Sequence, residues 1–296
     1  MVNRFLKLAI FSFSGLLFCA ESQISDRRAL KTYPSRFANL VSKIMRNSFN
    51  EVFNVEERWK TNIAKECEDA ENEVYKSLGF NKDNLSEELE QKAEAKAIKW
   101  AHNSMEKYYE VDERDKAFAL EIAKKYGFSI NDLSLVYSKS YASAFSQYPN
   151  IIGMKTIGNI ESEKASNWHQ FCILHELAHL YYKHGKIRTR FCVIIEKMLY
   201  KNKPDPGQEF NLRRLHEKQA DIEAATKELH LTRVAAQKFQ KQCVRAPHIR
   251  FEDHDDPHPH RCVRAAYLLK IYQEMLARET VKNLLFRNDG YKQFLN

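Results

Sequence analysis

His175-Glu176-Leu177-Ala178-His179 stands inside an apolar run from Phe171 to Tyr182. The run has the length and composition of a buried helix. On an α-helix, positions four apart share a face, so both imidazoles can point at one metal ion. Glu176 lies one step round that helix, where it can reach a water on the metal. Neutral imidazole suits zinc, and a catalytic zinc takes three protein ligands and a water. The helix is expected from about Glu163 to His184, closed by Gly185 as C-cap.

A third ligand is needed. A metzincin would carry Gly and His where this chain has Tyr182 and Gly185, so that class is excluded. His184 is five residues past His179, about 140° round a continuous helix, which takes it off the metal face. The better candidate lies downstream in His216-Glu217-Lys218-Gln219-Ala220-Asp221, on a helix expected from Glu209 to Leu229. Glu217 and Asp221 are four apart and share a face. Glu217 can ligate zinc, while Asp221 can accept a hydrogen bond from the outer N–H of a ligating histidine. His216 and Glu223 fall on other faces and are weaker choices.

Working outward, the 296-residue chain is 44% hydrophobic and 29% charged, with only 8 Gly and 7 Pro, a balance that favours helices. Residues 23–110 read as charged amphipathic helices, broken at Gly79-Phe80-Asn81, and residues 111–296 as the part that carries the chemistry. Leu133 to Tyr137 and Ile151 to Ile157 read as strands, with Pro149-Asn150 as a turn before the second. Further helices are expected from Thr232 to Val244, Arg261 to Arg278 and Glu279 to Leu295. The formal net charge is +8, densest at Lys183, Lys186, Arg188 and Arg190, with Arg213-Arg214 next. No basic-aromatic motif accompanies it, so a solvated surface is favoured over a nucleic-acid partner.

At the N-terminus, Arg4 and Lys7 precede the apolar stretch Leu8 to Ala20, and Ala20-Glu21-Ser22 offers small residues for cleavage. Residues 1–22 therefore read as a signal peptide, and the chain as exported, periplasmic or secreted; an uncleaved anchor is the alternative. No other run is long enough to span a membrane, which leaves membrane-surface proximity open. The six cysteines show no C-x-x-C spacing. Cys243 and Cys262 bracket a polar loop and can pair in an oxidising compartment. The acidic loop Glu252 to Asp256 reads as solvated rather than as a second metal site.

Four stretches together resemble a family of zinc metallopeptidases that contains the HtpX-like proteases, the CAAX prenyl proteases of the first type and the periplasmic BepA-like proteases. His175 to His184 resembles the family's His-Glu-x-x-His-x-x-x-x-His block. Glu217 to Asp221 resembles its Glu-x-x-Ala-Asp block, and His258 to Arg264 its His-Pro-x-x-x-x-Arg block. Tyr141-Ala142-Ser143-Ala144-Phe145 resembles the Asn-Ala-Phe-Ala segment just before the substrate-binding edge strand. These span about Asp132 to Leu269, under half of the chain. The departures are Ala178 for a common Gly, Ser143 for the usual Asn, a short spacing between the metal blocks, and the lack of flanking transmembrane helices or tetratricopeptide repeats.

The resemblance implies an α+β, mostly helical fold: a zincin-like metalloprotease core of the gluzincin type with a small β-sheet and an N-terminal helical region. It implies a soluble, divergent member holding one zinc on His175, His179 and Glu217, with Asp221 behind them. Glu176 would act as general base on a zinc-activated water. His258 and Arg264 would help hold the oxyanion. Ala144 and Phe145, with Ile151 and Gly153 on the strand Ile151 to Ile157, would take up an extended protein or peptide substrate by strand addition. The expected function is that of a zinc-dependent endopeptidase. Against it stand a catalytically weak or inactive member acting as chaperone or binding module, and a basic nucleic-acid-binding protein with a chance motif.

Overall fold

Val55, Ile63, Cys67, Ala70 and Val74 recur at helical spacing and are all buried, which winds helix α1, Val55–Ser77, with one apolar face inward. Glu56 and Glu57 in its first turn and Lys76 in its last complement the helix dipole. Gly79 ends the turn at φ +74°, and Phe80 N–H reaches back to the Tyr75 carbonyl at 2.9 Å. Gly127, also at φ +74°, closes α3 the same way, with Phe128 N–H on the Ala123 carbonyl at 2.9 Å.

The computed structural model describes residues 54–105, 109–110, 113–129, 133–137, 144–154, 163–197, 206–245 and 258–287. The expected signal peptide 1–22, the segment Tyr141 to Ser143, residues 155–157 and the loop Glu252 to Asp256 lie outside them. After α1 come α2 (Glu87–Met105), β1 (Tyr109–Glu110), α3 (Glu113–Lys125), β2 (Ser134–Tyr137), β3 (Ala144–Gln147) and β4 (Ile151–Met154). Then follow α4 (Glu163–Tyr181), α5 (His184–Lys197), α6 (Pro206–Thr226), α7 (Leu229–Arg245) and α8 (Arg261–Arg287). The fold is thus mostly helical with a small sheet, an α+β arrangement. None of the described helices is long and apolar enough to cross a membrane.

The helices pair around α4 and α6. Helix α4 packs on α6, α7 and β3, α1 packs on α6, and α7 packs on α8. Their shared core holds Ile63, Phe171, Leu174, Leu177, Ile222, Leu231 and Leu268. Each such side chain contributes about 1.5–3 kcal/mol on burial. A second core joins α1 and α2 to α5 through Tyr75, Leu78, Leu89, Phe191 and Ile194. Asn54–Asn296 is one compact unit, and Val55, Ile63 and Cys67 share a core with Phe171 and Leu174. The expected boundary at residue 110 therefore falls inside a continuous interior.

Three local expectations change. The motif helix ends at Tyr181, because Lys183 adopts φ 57° and the chain restarts as α5 at His184. Lys183 thus makes the turn assigned to Gly185. Gly185 instead lies within α5, where a Cβ would stand 2.8 Å from Tyr148 Cβ. A single helix, α8, replaces the two expected after Arg261.

The sheet runs β1-β2-β4-β3. β2 and β4 are parallel with Ser134 opposite Ile151, whereas β3 and β4 form an antiparallel hairpin with Phe145 opposite Gly153. The pairing explains the glycine: a Cβ at Gly153 would stand 1.8 Å from the Phe145 ring. β4 pairs on both sides, so it offers no free backbone edge. The expected peptide-binding role of Ile151 and Gly153 by strand addition is corrected on that ground. Ala144 and Phe145 lie on β3, which has no further strand beside it among the described residues.

Candidate metal centre

Helix α4 carries His175 and His179 on one face, and α6 packs alongside with Glu217 facing them. His175 Nε2 and His179 Nε2 are 3.1 Å apart. Glu217 reaches His175 Nε2 with Oε2 at 3.2 Å and His179 Nε2 with Oε1 at 3.3 Å. The two nitrogens and both Glu217 oxygens thus cluster, with one donor atom from each of the three residues within 4.8 Å of the others. Metal–ligand bonds of ~2.0–2.1 Å at tetrahedral angles would set such donors ~3.3 Å apart. Glu217 Oε2 is buried and accepts no hydrogen bond. Buried carboxylate oxygens are normally paired, and a cation between these donors would satisfy this one. His175, His179 and Glu217 could therefore hold a metal ion.

The outer nitrogens fix which ring atoms face that point. His175 Nδ1 faces Asp221 Oδ1 at 2.9 Å, an ion-pair distance. His184 Nε2 bonds Gln219 Oε1 at 2.9 Å, and that oxygen only accepts, so His184 Nε2 is the donor. Burial, with His216 and His179 close by, holds the His184 pKa far below its ordinary value, so the ring is neutral. Its bare Nδ1 then accepts from His179 Nδ1–H at 2.7 Å. Each ring thus turns Nε2 toward the site, and ligation there would displace any proton that it carries.

Asp221 is the anchor beneath. It receives Arg264 through Nε at 2.7 Å and Nη2 at 2.6 Å, and the Tyr267 hydroxyl donates to it as well. Burial alone would raise its pKa, but Arg264 and His175 outweigh burial and hold it at about 2. Burial would likewise depress His175, yet Asp221 and Glu217 raise it to about 10. The negative field that draws a proton there also draws a metal cation. Glu217 is pushed up by burial and pulled well below its ordinary value by His179 and His175.

Set against models of known protein families, curated proteins and solved structures, the chain matches none.

The centre opens on a cleft of about 510 Å³, walled by β3 residues Phe145 to Gln147 and by Trp100, Glu176, Arg188, Arg213 and His258. Glu176 lies in that wall beside His179, and among the described residues it forms no ion pair. His258 Nε2 stands 3.5 Å from Glu217 Oε2 with half of its side chain exposed, so it borders the centre from the solvent side. Arg264 differs from its expected role: it does not line the cleft, and both its hydrogen bonds go to Asp221. It also stacks on Phe239 at 4.1 Å.

Sequence reasoning missed the imidazole chain. His184 leaves the metal face only if one helix runs through it, and the turn at Lys183 swings it back onto His179. His216 stacks on His184 with centroids 4.0 Å apart and planes 7° apart, and burial with His179 lowers its pKa to about 3. The signal was the third histidine of the block His175 to His184. For Tyr267 it was the spacing of three from Arg264, which puts both on one face of α8.

Proposed function

We propose that this chain is a zinc-dependent endopeptidase with a zincin-like core, a divergent relative of the HtpX-like, CAAX prenyl and BepA-like metallopeptidases. The observation that carries the reading is the cluster of His175 Nε2, His179 Nε2 and the Glu217 carboxylate, opening on a cleft lined by Glu176. Nitrogen and oxygen donors in a set of three, with room for a further ligand, match the catalytic zinc pattern. His175, His179 and Glu217 would hold the ion. Bound there, zinc would supply Lewis-acid polarisation of a substrate carbonyl and acidify a water.

The chain's own residues do the rest. Asp221 and His184 orient the two imidazoles, and Arg264 with Tyr267 orients Asp221. Glu176 takes a proton from the attacking water and returns it to the leaving amine. The edge of β3 that has no further strand among the described residues, at Ala144 to Gln147, offers main-chain groups to an extended substrate. His258 would hydrogen-bond the developing oxyanion from the solvent side. The Cys243–Cys262 disulfide between α7 and α8 supports an exported protein, periplasmic or secreted, since such bonds persist in oxidising compartments.

The test is metal analysis and casein cleavage on three proteins. The native chain is expected to hold one zinc and to cut casein in a chelator-sensitive way. Glu217→Ala should lose both. Glu176→Gln should keep the zinc and lose about 10²–10⁴ in rate. Full activity in Glu176→Gln, or full zinc in Glu217→Ala, would refute the assignment.

A further inference from the structure

Two arginines in the cleft have no use in the chemistry above. Arg188 follows His184 by four residues on α5, and Arg213 precedes Glu217 by four on α6. Arg213 therefore shares a helix face with Glu217 of the metal cluster, and Arg188 with His184, which bonds the ligand His179, each one turn away. The stacked rings of His184 and His216 hold the two helices together there. Both arginines line the cleft.

Neighbouring cations are neutralised. Lys186 pairs with Glu94 at 2.5 Å, and Arg190 with Glu90 at 2.6 Å. Arg188 and Arg213 are different: among the described residues neither has an ion-pair or hydrogen-bond partner. Arg213 only rests over the Phe210 ring at 5.6 Å. The carboxylates whose field reaches it are Glu209, which forms no ion pair with it, and Glu217, which is engaged by the two histidines. Burial and the charge of Arg188 pull the Arg213 pKa below its ordinary value, so the two guanidinium groups repel. Like charges in a cleft with apolar walls focus a field on whatever enters. Trp100, Phe145 and Leu180 supply those walls.

We propose that Arg188 and Arg213 form a subsite that selects a substrate carboxylate about two residues from the bond cleaved. The spacing follows from geometry. Four helical residues rise ~6 Å, and an extended peptide advances ~3.3 Å per residue. Guanidinium forks match a carboxylate. The carboxylate can belong to an Asp or Glu side chain inside the substrate, or to the substrate's own C-terminus. The inference rests on the hydrolase reading of this cleft.

The test uses the full-length, zinc-loaded protein and randomised decapeptides carrying Glu, Gln or Lys at one fixed position, with free or amidated C-termini. Binding is read by fluorescence anisotropy on Glu176→Gln, and kcat/KM on the native chain. Glu peptides are expected to bind and react about tenfold better than Gln peptides, some 1.4 kcal/mol, with Lys peptides poorest. The preference should vanish or invert when Arg188→Glu and Arg213→Glu are combined, in protein that still holds one zinc. Persistence in amidated peptides assigns a side-chain carboxylate; dependence on a free C-terminus assigns the terminal one. Equal affinity for Glu and Gln, no binding at all, or an unaltered preference in the double variant overturns the subsite. If nothing is cleaved but the arginine-dependent Glu preference in binding remains, the hydrolase reading falls and the subsite stands.

Discussion

Helix α6 carries buried carboxylates on two faces, and they are treated in opposite ways. On one face Glu217 points an oxygen without a hydrogen bond at two imidazoles. Six residues on, Glu223 is closed off: Lys60 reaches it at 3.0 Å, Lys227 at 2.6 Å, and the Tyr182 hydroxyl donates at 2.9 Å. Burial alone would raise the Glu223 pKa, but Lys227 and Lys60 hold it below the ordinary range. One face holds an oxygen without a hydrogen bond; the other balances charge and ties α1 and the turn after α4 to α6. A structural carboxylate faces cations, whereas a functional one faces other donors.

Asp221 lies between these cases and should show the largest effect. Asp221→Asn leaves Arg264 buried with a half-satisfied guanidinium, at a cost of about 3–5 kcal/mol in urea unfolding. Metal affinity should also fall ~10–100-fold, because the outer nitrogen of His175 loses its partner. Adding Arg264→Met should recover stability but not metal affinity. Recovery of both would erase the distinction between the two roles.

Metal removal separates the faces next. With metal at a thousand times its Kd, a chelator should lower stability by about 4 kcal/mol. Glu223→Gln should show the same chelator-induced drop in melting temperature, and Glu217→Ala none.

Glu223→Gln should cost about 1–3 kcal/mol at neutral pH and leave zinc content unchanged. Its pH dependence has a definite sign. Unfolded, Glu223 titrates near ~4.3, and its folded pKa lies lower. Its contribution is therefore present above the unfolded value and lost as pH falls through the folded one. The stability gap between native and variant should be constant from neutral pH down to about 5 and close below about 4. A gap that widens in acid would contradict the ion-pair assignment.

The smallest effect is expected from His184→Phe. It keeps the stack on His216 and removes the hydrogen bonds to His179 and Gln219. Zinc affinity, measured by chelator competition, should weaken about tenfold with little change in stability.

Parts of this were readable in the residue string because they follow fixed periods. His175 and His179, and likewise Glu217 and Asp221, are four apart, and the helix period alone puts each pair on one face. Gly79 and Gly127 announced their helix ends because a left-handed residue is needed there. What escaped depended on contacts between distant segments. Lys183 turns left-handed although lysine carries no such signal, and His184 is placed by that turn. The string marks Ile151 to Ile157 as a strand but does not say that β2 and β3 flank it. Arg264 could have faced the cleft or Asp221, and only the packing of α8 against α6 and α7 decides.

The Cys243–Cys262 crosslink has a temporal consequence. It spans a separation of 19 residues and staples the helix that presents Arg264 and Tyr267. Closing a loop of that size is worth ~3 kcal/mol, roughly a hundredfold in the fraction of chains unfolded at any instant. The same polypeptide would thus age at two rates, slowly where thiols are oxidised and fast where they are kept reduced, giving its working life a geography.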